Sequence, residues 1–329
     1  MSKLLVIFGA TGQQGASIIN YVLNDPELSK QYTLHAITRD ASSPTTRPRP
    51  SKPKAWKSSS RRLRHKKLQD RPSRFKLRLR LTLPISDSQL KAREIAQGKN
   101  IADVAVAVGA QYLVFSTLPH VTKISGGGYT HVAPFDSKAE VELYIRTLPI
   151  KAAFFNPGSF MQNFYGALGP RPAGDGDGTF QGDAVTQFAL FDPVADSGKY
   201  VGAVLASPGV QLCAAENLYS LEEIAAVMSR VGGKTVRYVQ MESVFREFLS
   251  PDWKHFYSDM MLYYQDFGYF GPGSMELTAW ARQYARGSLL SSRSSLRRIL
   301  CRLWMVDVKS TLYILQGDSV VHVRVRRYL

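Results

Sequence analysis

The sequence predicts an α/β protein built on a doubly wound parallel sheet, with a smaller α+β lobe beside it. Two observations support this prediction. An apolar run at the N-terminus ends in a glycine-spaced turn, Gly9-Ala-Thr-Gly-Gln-Gln-Gly15, and a helical sequence follows at once. From residue 87 to residue 160, segments of helical period alternate with short apolar runs, which is typical of parallel strands joined by crossover helices.

The glycine motif has the strand, turn and helix order of a Rossmann-like dinucleotide-binding unit. Gly9 permits the tight turn, Gly12 leaves backbone N–H groups open to a pyrophosphate, and Gly15 lets the helix pack closely on the strand. This spacing is wider than the common fingerprint and is the variant seen in short-chain dehydrogenase/reductases. An ordinary ligand-free turn is the weaker alternative. The predicted cofactor-binding residues of this turn are Gly9, Ala10, Thr11, Gly12, Gln13, Gln14 and Gly15.

The second predicted strand, residues 32–37, ends at Thr38-Arg39-Asp40, where such a fold holds the adenosine ribose. An acidic residue there suits the 2′-hydroxyl of NAD, whereas an arginine suits the 2′-phosphate of NADP through paired hydrogen bonds. Arg39 therefore favours NADP(H) as the cofactor, although Asp40 follows directly. The alternative is that Arg39 is a solvated surface side chain.

Residues 44–80 interrupt this alternation. The tract is rich in Arg, Lys, Pro and Ser and shows no regular period until Lys76-Leu-Arg-Leu-Arg-Leu81, so we predict an irregular segment. Three explanations stay open: a disordered basic insertion, a nucleic-acid-binding arm, and a shifted reading frame in the gene. Base stacking on an arm needs interleaved aromatic residues, and the tract holds only Trp56 and Phe75.

A shifted reading frame is the explanation that the sequence favours. Lys54-Ala-Trp-Lys-Ser-Ser59 is encoded as AAR GCN TGG AAR TCN TCN if both serines use TCN codons. Read from the third base, the same nucleotides encode Gly or Ser, then Val, Leu or Met, then Glu, then Val or Ile, then an apolar residue. Such a run is typical of the buried strand that an α/β domain needs at this point.

Regular patterning returns at residue 81 and continues to residue 160. The predicted segments are a helix over 87–108, a strand over 111–116, a glycine-rich loop over 123–134, a helix over 135–148 and a strand over 150–155. Because the carboxyl ends of parallel strands meet at one edge of the sheet, we expect the ligand site there.

Beyond residue 163, turns rich in Gly and Asp flank short strand-like pieces, which predicts the smaller lobe on the substrate side. A helix is predicted over residues 220–231, where Ser220 and Glu223 form a capping box, and it is expected to end at Gly232-Gly233. A strand over 236–240 follows. The aromatic residues of a further helix, over 244–267, are interpreted as lobe packing rather than as a cofactor site.

We divide the chain into a cofactor-binding core over residues 1–165, the lobe over 166–287 and an irregular tail over 288–329. The tail begins with a Ser- and Arg-rich stretch and then alternates weakly from residue 308 to residue 325. Disorder, an added hairpin and a second mistranslated exon all stay open as explanations of the tail.

The net charge of +16 suggests a nucleic-acid partner, but its distribution argues against one. Residues 45–80 hold 15 Lys and Arg and one acidic residue, and residues 286–329 hold nine and two. The rest of the chain carries 18 basic and 23 acidic side chains, so the predicted folded body is mildly acidic. We therefore do not expect nucleic acid as the partner.

No run of about 18 apolar residues occurs, and the chain begins directly with a strand, so we expect neither a membrane span nor a signal peptide. Cys213 and Cys301 lie far apart, and His120, His131 and His255 lack the spacing of metal ligands, so no metal site is predicted. The cysteine usage suits a reducing compartment. We predict a cytoplasmic protein, with the nucleus as an alternative.

Five motifs follow one another along the chain: Gly9-Ala-Thr-Gly-Gln-Gln-Gly15, Thr38-Arg-Asp40, Gln97-Gly-Lys99, Phe135-Asp-Ser-Lys-Ala-Glu-Val-Glu142 and Asn156-Pro-Gly-Ser-Phe-Met-Gln-Asn163. Together they resemble the NmrA-like family of atypical short-chain dehydrogenase/reductases that bind NADP(H). The resemblance covers residues 1–43 and 81–287 and fails in the two anomalous tracts. It implies a Rossmann-like fold and NADP(H) as the cofactor.

The resemblance also implies cofactor contacts beyond the glycine turn. Lys138 would hydrogen-bond the nicotinamide ribose, although without the resemblance a helix-surface lysine would be the simpler interpretation. Backbone groups of the segment after the residue 150–155 strand would pass under the nicotinamide. The residues implied in this way are Thr82, Leu83, Pro84, Lys99, Lys138, Pro157, Gly158, Ser159 and Phe160.

The candidate catalytic residues are Lys138, Ser116 and Tyr129. In standard short-chain dehydrogenases a tyrosine four residues before the lysine acts as general acid/base, and that position is Pro134 here. Tyr129 and His131 lie nearby but off the spacing. Ser116 ends a strand at the ligand-binding edge, where a simple capping role is equally open.

Three functions remain in view. The first is an NADP(H)-dependent oxidoreductase acting on a small organic substrate, with the proton supplied by Lys138, Tyr129 or His131. The second is a non-catalytic NADP(H) redox sensor that regulates a transcription factor or another protein, as regulator members of the family do. The third, a nucleic-acid-binding protein, is the weakest. The missing tyrosine favours the sensor, whereas the preserved pocket and the sizeable lobe favour the enzyme.

Overall fold

A computed structural model describes residues 2–37, 89–165, 168–172, 178–182, 186–207, 210–240, 251–305, 311–316 and 319–324. Its strands are β1 (Lys3–Phe8), β2 (Tyr32–Ile37), β3 (Tyr112–Ser116), β4 (Lys151–Pro157), β5 (Ser159–Phe160), β6 (Arg171–Pro172), β7 (Gly178–Gly182), β8 (Gln187–Phe191), β9 (Gln211–Ala214), β10 (Asn217–Ser220), β11 (Val236–Gln240), β12 (Thr311–Gln316) and β13 (Ser319–Arg324).

The described residues form ten α-helices and one 3₁₀ helix. The α-helices are α1 (Gln13–Asn24), α2 (Leu28–Gln31), α3 (Leu90–Ala107), α4 (Val121–Ile124), α5 (Ala133–Ile145), α6 (Ser197–Ala206), α7 (Leu221–Gly232), α8 (Pro251–Phe267), α9 (Ser274–Tyr284) and α10 (Ser292–Met305). The 3₁₀ helix, Met161–Tyr165, follows β5 directly.

The parallel strands of the predicted fold are present. β1 pairs with β2 in parallel, and β3, β4 and β9 form a second parallel ladder with β4 in the middle. Helices follow the strands in the predicted alternation, so the expectation of a doubly wound, Rossmann-like α/β fold is confirmed. Among the described residues β1 has no strand partner on its second edge.

Two pairs of helices pack closely through glycines. A Cβ atom on Gly198 or Gly202 of α6 would overlap Tyr21 of α1, so the absence of side chains there lets these two helices approach each other. Gly98 of α3 meets Val141 of α5 in the same way. These contacts fix α1 and α5, which carry the glycine turn and Lys138 respectively.

The smaller lobe contains the strands β8 and β10 and the helices α7 and α8, and β8 also pairs with β5 at the end of the core. The capping box of α7 is present, because Ser220 Oγ accepts from the Glu223 N–H and the Glu223 carboxylate accepts from the Ser220 N–H. Gly233, with φ of 68°, ends the helix in the left-handed conformation. The prediction for this helix is therefore confirmed.

Two predicted segments differ from the structure, and a third is described only in part. The loop predicted over residues 123–134 contains the end of α4 and the first turn of α5, where Pro134 lies. The helix predicted from residue 244 is described only from Pro251 onward. The prediction of an irregular tail over 288–329 is wrong for α10 (Ser292–Met305), because Leu296 is fully buried against the lobe core.

Some sequence predictions lie outside the described residues or are not tested by the fold. The basic tract, residues 44–80, lies outside them. The domain boundaries at residues 165 and 287 stay predictions, as does the compartment of the protein. Among the described residues, no helix combines the length and apolar character that crossing a membrane requires.

Candidate functional site

A cavity of about 690 Å³ lies between the carboxyl ends of the sheet strands and helix α8 of the lobe. This is the place where ligands bind in doubly wound folds. The sheet side contributes Gln14, Ser116, Thr117, Leu118, Phe135, Lys138, Pro157, Gly158, Ser159 and Phe160. The remaining lining residues are Gln162, Asn163, Leu168, Phe188, Trp253, Phe256, Tyr257, Met260, Tyr264 and Tyr269.

The glycine turn has the geometry that the sequence predicts. Gly9 has a φ of 67°, a left-handed value that disfavours other residues, and its carbonyl accepts from the Gly12 N–H at 2.8 Å. A Cβ on Gly15 would lie only 2.3 Å from the Gly9 oxygen, so this position must stay without a side chain. Ala10 is buried, whereas Thr11, Gly12 and Gln13 are exposed.

Gly12 leaves an open cradle at the start of α1. It is the N-cap residue in extended conformation, and no side chain caps the helix. The first N–H groups of a helix have no partner within it and attract anions. A Cβ on Gly12 would contact only the Gly9 oxygen, at 3.2 Å, and would project into this cradle. The residues present therefore fit a pyrophosphate at this point.

Ser116 and Gln14 join the glycine turn to the cavity. The Gln14 side chain, on the first turn of α1, lies 3.4–3.5 Å from Ser116 Oγ at the end of β3. Both residues line the cavity. The sequence prediction that Ser116 lies at the ligand-binding edge is in keeping with this placement, and its catalytic role stays a prediction.

The segment Pro157 to Phe160 forms one wall of the cavity through its backbone. The Gly158 N–H donates to the Ala214 carbonyl at 2.8 Å, and a Cβ on Gly158 would lie 2.3 Å from the Ala189 oxygen. Tyr269 of the lobe donates to the Pro157 carbonyl at 3.4 Å. The segment is thus held tightly between sheet and lobe, at the position where the resemblance implies a nicotinamide.

Lys138 lies on the second turn of α5 with its side chain partly exposed. Its ammonium donates to the Pro134 carbonyl at 3.0 Å and lies 3.5 Å from the Glu94 carboxylate on α3. Pro134 therefore stands where the tyrosine would be, and its backbone carbonyl accepts a hydrogen bond from the lysine. Among the cationic side chains of the described residues, only Lys138 lines the cavity.

Tyr129 and His131 lie away from the cavity. The Tyr129 hydroxyl donates to Asp266 of α8, and this hydrogen bond, together with burial, raises the Tyr129 pKa to about 12. His131 Nδ1 lies 2.9 Å from Asp259, on the same helix. Neither side chain lines the cavity. The structure therefore gives no support to either residue as the proton donor, because both are held on the outer face of α8.

The other predicted contacts are not brought to the cavity by the described residues. Lys99 places its ammonium 4.9 Å from the centre of the Tyr144 ring, a cation–π contact between α3 and α5 outside the cavity lining. Arg39, Thr82, Leu83 and Pro84 lie outside the described residues. Their roles in cofactor binding stay predictions.

The sequence interpretation of α8 missed that one face of this helix lines the cavity. The residues concerned recur at helical spacing, and three of them belong to the lobe core as well, so packing and lining coincide. The face consists of Trp253, Phe256, Tyr257, Met260 and Tyr264. Their common spacing is the signal that identifies the face.

Two tyrosines of the cavity lining, Tyr264 and Tyr269, form a hydrogen-bonded pair. The Tyr264 hydroxyl donates to that of Tyr269, and burial raises the pKa of both well above the ordinary value. They therefore remain neutral hydrogen-bond donors at physiological pH. Across the part of the chain that the structure covers, no group of His, Cys, Asp and Glu side chains is arranged to hold a metal ion.

A profile of the NmrA-like family matches residues 1–296. Two curated fungal relatives are described as NmrA-like family domain-containing oxidoreductases, lnaB of Aspergillus flavus and ptmS of Penicillium ochrochloron. Each is 29% identical to this chain, over 172 and 171 residues respectively. The matches cover 50% and 49% of this chain and 49% and 48% of the relatives. The chain thus spans about half the length of the curated relatives it matches.

Solved structures of similar fold include NmrA, described as a negative transcriptional regulator, with a TM-score of 0.66 at 18% identity. The match covers 92% of this chain and 97% of NmrA. NmrA has been solved in complex with NAD and in complex with NADP. A second neighbour is the NADPH-dependent quinone oxidoreductase QOR2 of Escherichia coli, with a TM-score of 0.55 at 15% identity over 90% of this chain and 99% of QOR2.

Proposed function

We propose that this chain, which belongs to the NmrA-like family, is an NADP(H)-dependent oxidoreductase that acts on a small, largely apolar organic substrate. The family profile covers residues 1–296, so the resemblance drawn from the sequence motifs is confirmed. The named relatives are oxidoreductases, and structural neighbours bind NAD or NADP. The preference for NADP and the reaction itself belong to the proposal.

The observation that carries the proposal is a path of contacts from the glycine turn to the cavity through Gln14, the residue of that turn that lines the cavity. Gln14 at the start of α1 contacts Ser116, and both line the same cavity as Lys138 and the segment Pro157 to Phe160. A dinucleotide lying along this path would have its pyrophosphate at the Gly12 cradle and its nicotinamide over that segment. The cavity then offers space for a second molecule beside the nicotinamide.

In this mechanism the bound cofactor would supply a hydride to the substrate carbon. The chain would hold the nicotinamide against the backbone of Pro157 to Phe160 and exclude water with the apolar face of α8. Lys138 would donate a proton from its ammonium to the substrate oxygen that gains electron density. Solvent would then reprotonate the resulting amine, because the lysine side chain is 31% exposed.

The lining of the cavity favours a flat, mostly apolar substrate. Aromatic side chains of α8 line the cavity together with Phe160 and Phe188, and Lys138 is the cationic side chain among the described lining residues. Such walls bind ring systems by stacking and by the hydrophobic effect, while Lys138 would orient a carbonyl oxygen. Aromatic aldehydes, enones and quinones have these two features.

A non-catalytic NADP(H) sensor is the second candidate, and one observation favours it. Pro134 occupies the position of the usual general acid/base, so the chain lacks the tyrosine on which standard short-chain dehydrogenases depend. The likeness in fold to NmrA, a negative transcriptional regulator, is compatible with such a role. A sensor would bind the cofactor and a protein partner without turning over a substrate.

Turnover separates the two candidates. The protein is mixed with NADPH and a panel of aromatic aldehydes, enones and quinones, and NADPH oxidation is followed together with NADPH and NADH binding by calorimetry. The oxidoreductase predicts turnover, tighter binding of NADPH than of NADH, and a loss of kcat of about 100-fold or more in Lys138→Met. The exposed Lys30→Met on α2 is the matched control and should behave as the parent.

Micromolar NADPH binding without turnover of any compound would favour the sensor. Equal activity in Lys138→Met and the parent would show that the lysine is not the proton donor, although the proposed oxidoreductase activity would still stand. Absence of binding to either nucleotide would contradict both candidates.

A further inference from the structure

We propose that Glu94 of α3 is the positioning residue for Lys138, holding its ammonium so that one N–H is directed at the ligand in the cavity. The inference rests on the proposed function, because it assigns a role within the same site. It does not follow from the sequence motifs, none of which includes Glu94.

The donors of Lys138 account for this arrangement. An ammonium has three N–H donors. The Pro134 carbonyl accepts one at 3.0 Å, and the Glu94 carboxylate pairs with a second at 3.5 Å. Among the described residues these are the partners of Lys138, so one donor is left for the cavity that the side chain lines. One ligand oxygen can thus be bound at a defined point.

Glu94 is itself held in place. The same oxygen that faces Lys138 accepts from Ser137 Oγ at 2.5 Å, and the side chain is only 15% exposed. A carboxylate fixed by a neighbouring hydroxyl loses less conformational freedom when it pairs with the lysine. Glu94 therefore restrains the lysine more firmly than a mobile surface carboxylate would.

A second contact locks α3 to the start of α5. Lys91, one turn before Glu94, lies 3.1 Å from Asp136, which is fully buried. Asp136 also accepts from the Thr122 N–H at 3.1 Å and faces His120 Nδ1 at 3.1 Å. Consecutive α5 residues, Asp136 to Lys138, thus meet partners on a single face of α3. A shift of α3 would move Glu94 and the lysine together.

The test is a double-mutant cycle with two readouts, the dissociation constant for NADPH and kcat/KM for a substrate found in the panel. Glu94→Met removes both carboxylate oxygens and should lower kcat/KM about tenfold through a lysine that samples other rotamers. Glu94→Gln keeps one acceptor oxygen and should recover most of the loss. In a Lys138→Met background, Glu94→Met should add less than twofold.

Glu142→Met is the matched control. Glu142 lies on α5, is 14% exposed and pairs with Arg146 at 2.7 Å outside the cavity. The variant loses a carboxylate of similar burial and should change neither readout by more than twofold. Thermal unfolding of every variant identifies any that fail to fold. If Glu94→Met is one of them, Glu94→Gln is compared with the parent instead.

Additive effects of Glu94→Met and Lys138→Met would overturn the inference, since Glu94 would then act independently of the lysine. Parent-like readouts in Glu94→Met would overturn it as well. In both cases the parent still binds NADPH, so the proposed function stands. If the parent protein binds NADPH but turns over no substrate, the cycle is measured by NADPH affinity alone. Coupling between the Glu94 and Lys138 substitutions then supports the inference, and additive effects overturn it. A parent without NADPH binding contradicts the proposed function and the inference together.

Discussion

Pro134 and Lys138 show how a single position changes the chemistry available to a fold. At Pro134 no side-chain hydroxyl can take part in proton transfer, yet its carbonyl accepts from the Lys138 ammonium. The lysine keeps the place on α5 that the family pattern gives it, but its neighbours differ from those of a standard dehydrogenase. In the proposed mechanism, acid catalysis would therefore depend on the Lys138 ammonium instead of a phenol.

Two glycines of the same turn should respond differently to alanine. Gly12→Ala should leave stability nearly unchanged, because the Cβ meets only the Gly9 oxygen at 3.2 Å, but it should weaken NADPH binding about tenfold by filling the cradle. Gly15→Ala should destabilise the fold by about 1–3 kcal/mol, because its Cβ would lie 2.3 Å from the Gly9 oxygen. Calorimetry and urea unfolding measure the two effects.

The reverse pattern would show that the assignment of these glycines is wrong. If Gly12→Ala unfolds more readily and binds NADPH as the parent does, Gly12 is a structural residue. If Gly15→Ala is as stable as the parent, the close approach of α1 to the turn is not required.

At the scale of elements, local signals in the sequence were sufficient for some helices and insufficient for others. The helix α7 could be predicted with its cap, because Ser220 and Glu223 act within one turn and Gly233 ends the helix. The helix α10 could not, because its Ser- and Arg-rich start has a weak apolar pattern. Its stability depends on tertiary contacts, among them Ser295 Oγ donating to the buried Asp192 at 2.6 Å.

The docking of α10 can be measured at one side chain. Leu296 is fully buried in the lobe core, so Leu296→Ala should lower the free energy of unfolding by about 2–4 kcal/mol. Leu277→Ala on α9 is the control, since this leucine is 39% exposed and should cost about 0.5 kcal/mol. Equal urea midpoints for the two variants would mean that α10 does not pack on the lobe.

Two tyrosines of α8 and one just after it make the stability of the protein sensitive to alkaline pH. Burial raises the pKa of Tyr263, Tyr264 and Tyr269 above the ordinary value of 10.0. In the unfolded chain these groups lose protons near pH 10, before the folded protein does, so the unfolded state binds fewer protons above that pH. The stability from the raised pKa values is present below about pH 10 and is lost as the pH rises further.

We therefore expect the urea midpoint to fall between about pH 9.5 and about pH 11. Tyr264→Phe should reduce the slope of this fall, because one of the titrating groups is removed. A midpoint that stays constant over this interval would indicate that the tyrosines are accessible to solvent.

For the whole molecule, the sequence was most informative where function depends on backbone geometry. The glycine turn and the alternation of strands and helices could be predicted, because glycine spacing and apolar runs dictate them, whereas the role of Pro157 to Phe160 was implied by the family resemblance. The lobe side of the cavity could not, because Trp253 and Tyr264 become lining residues only when α8 folds over the sheet. Glu94 was missed for the same reason, since its partners lie 43 and 44 positions away.

The parallel strands show a second limit of the sequence prediction. Apolar runs such as that of β1 are typical of parallel strands buried on both faces, yet Leu4 is 64% exposed and Val6 and Phe8 are 39% exposed. Within the residues that the structure describes, no strand lies beside β1 on its second edge. Burial of a central strand depends on neighbours contributed by distant parts of the chain, and no local pattern in β1 reports on them.

The charge of the whole chain leads to a prediction about nucleic acid. Residues 45–80 hold 15 Lys and Arg and one acidic residue, whereas the chain outside the two basic tracts holds more acids than bases. Any affinity for DNA should therefore come from that tract and depend on counterion release alone. Between about 50 and 200 mM salt we expect this affinity to fall about 1000-fold, without preference for sequence.

Fluorescence anisotropy of a labelled DNA duplex measures this affinity, and replacing the lysines and arginines of residues 45–80 by glutamine should abolish the low-salt binding. Binding that persists in that variant or at high salt would revive a nucleic-acid function.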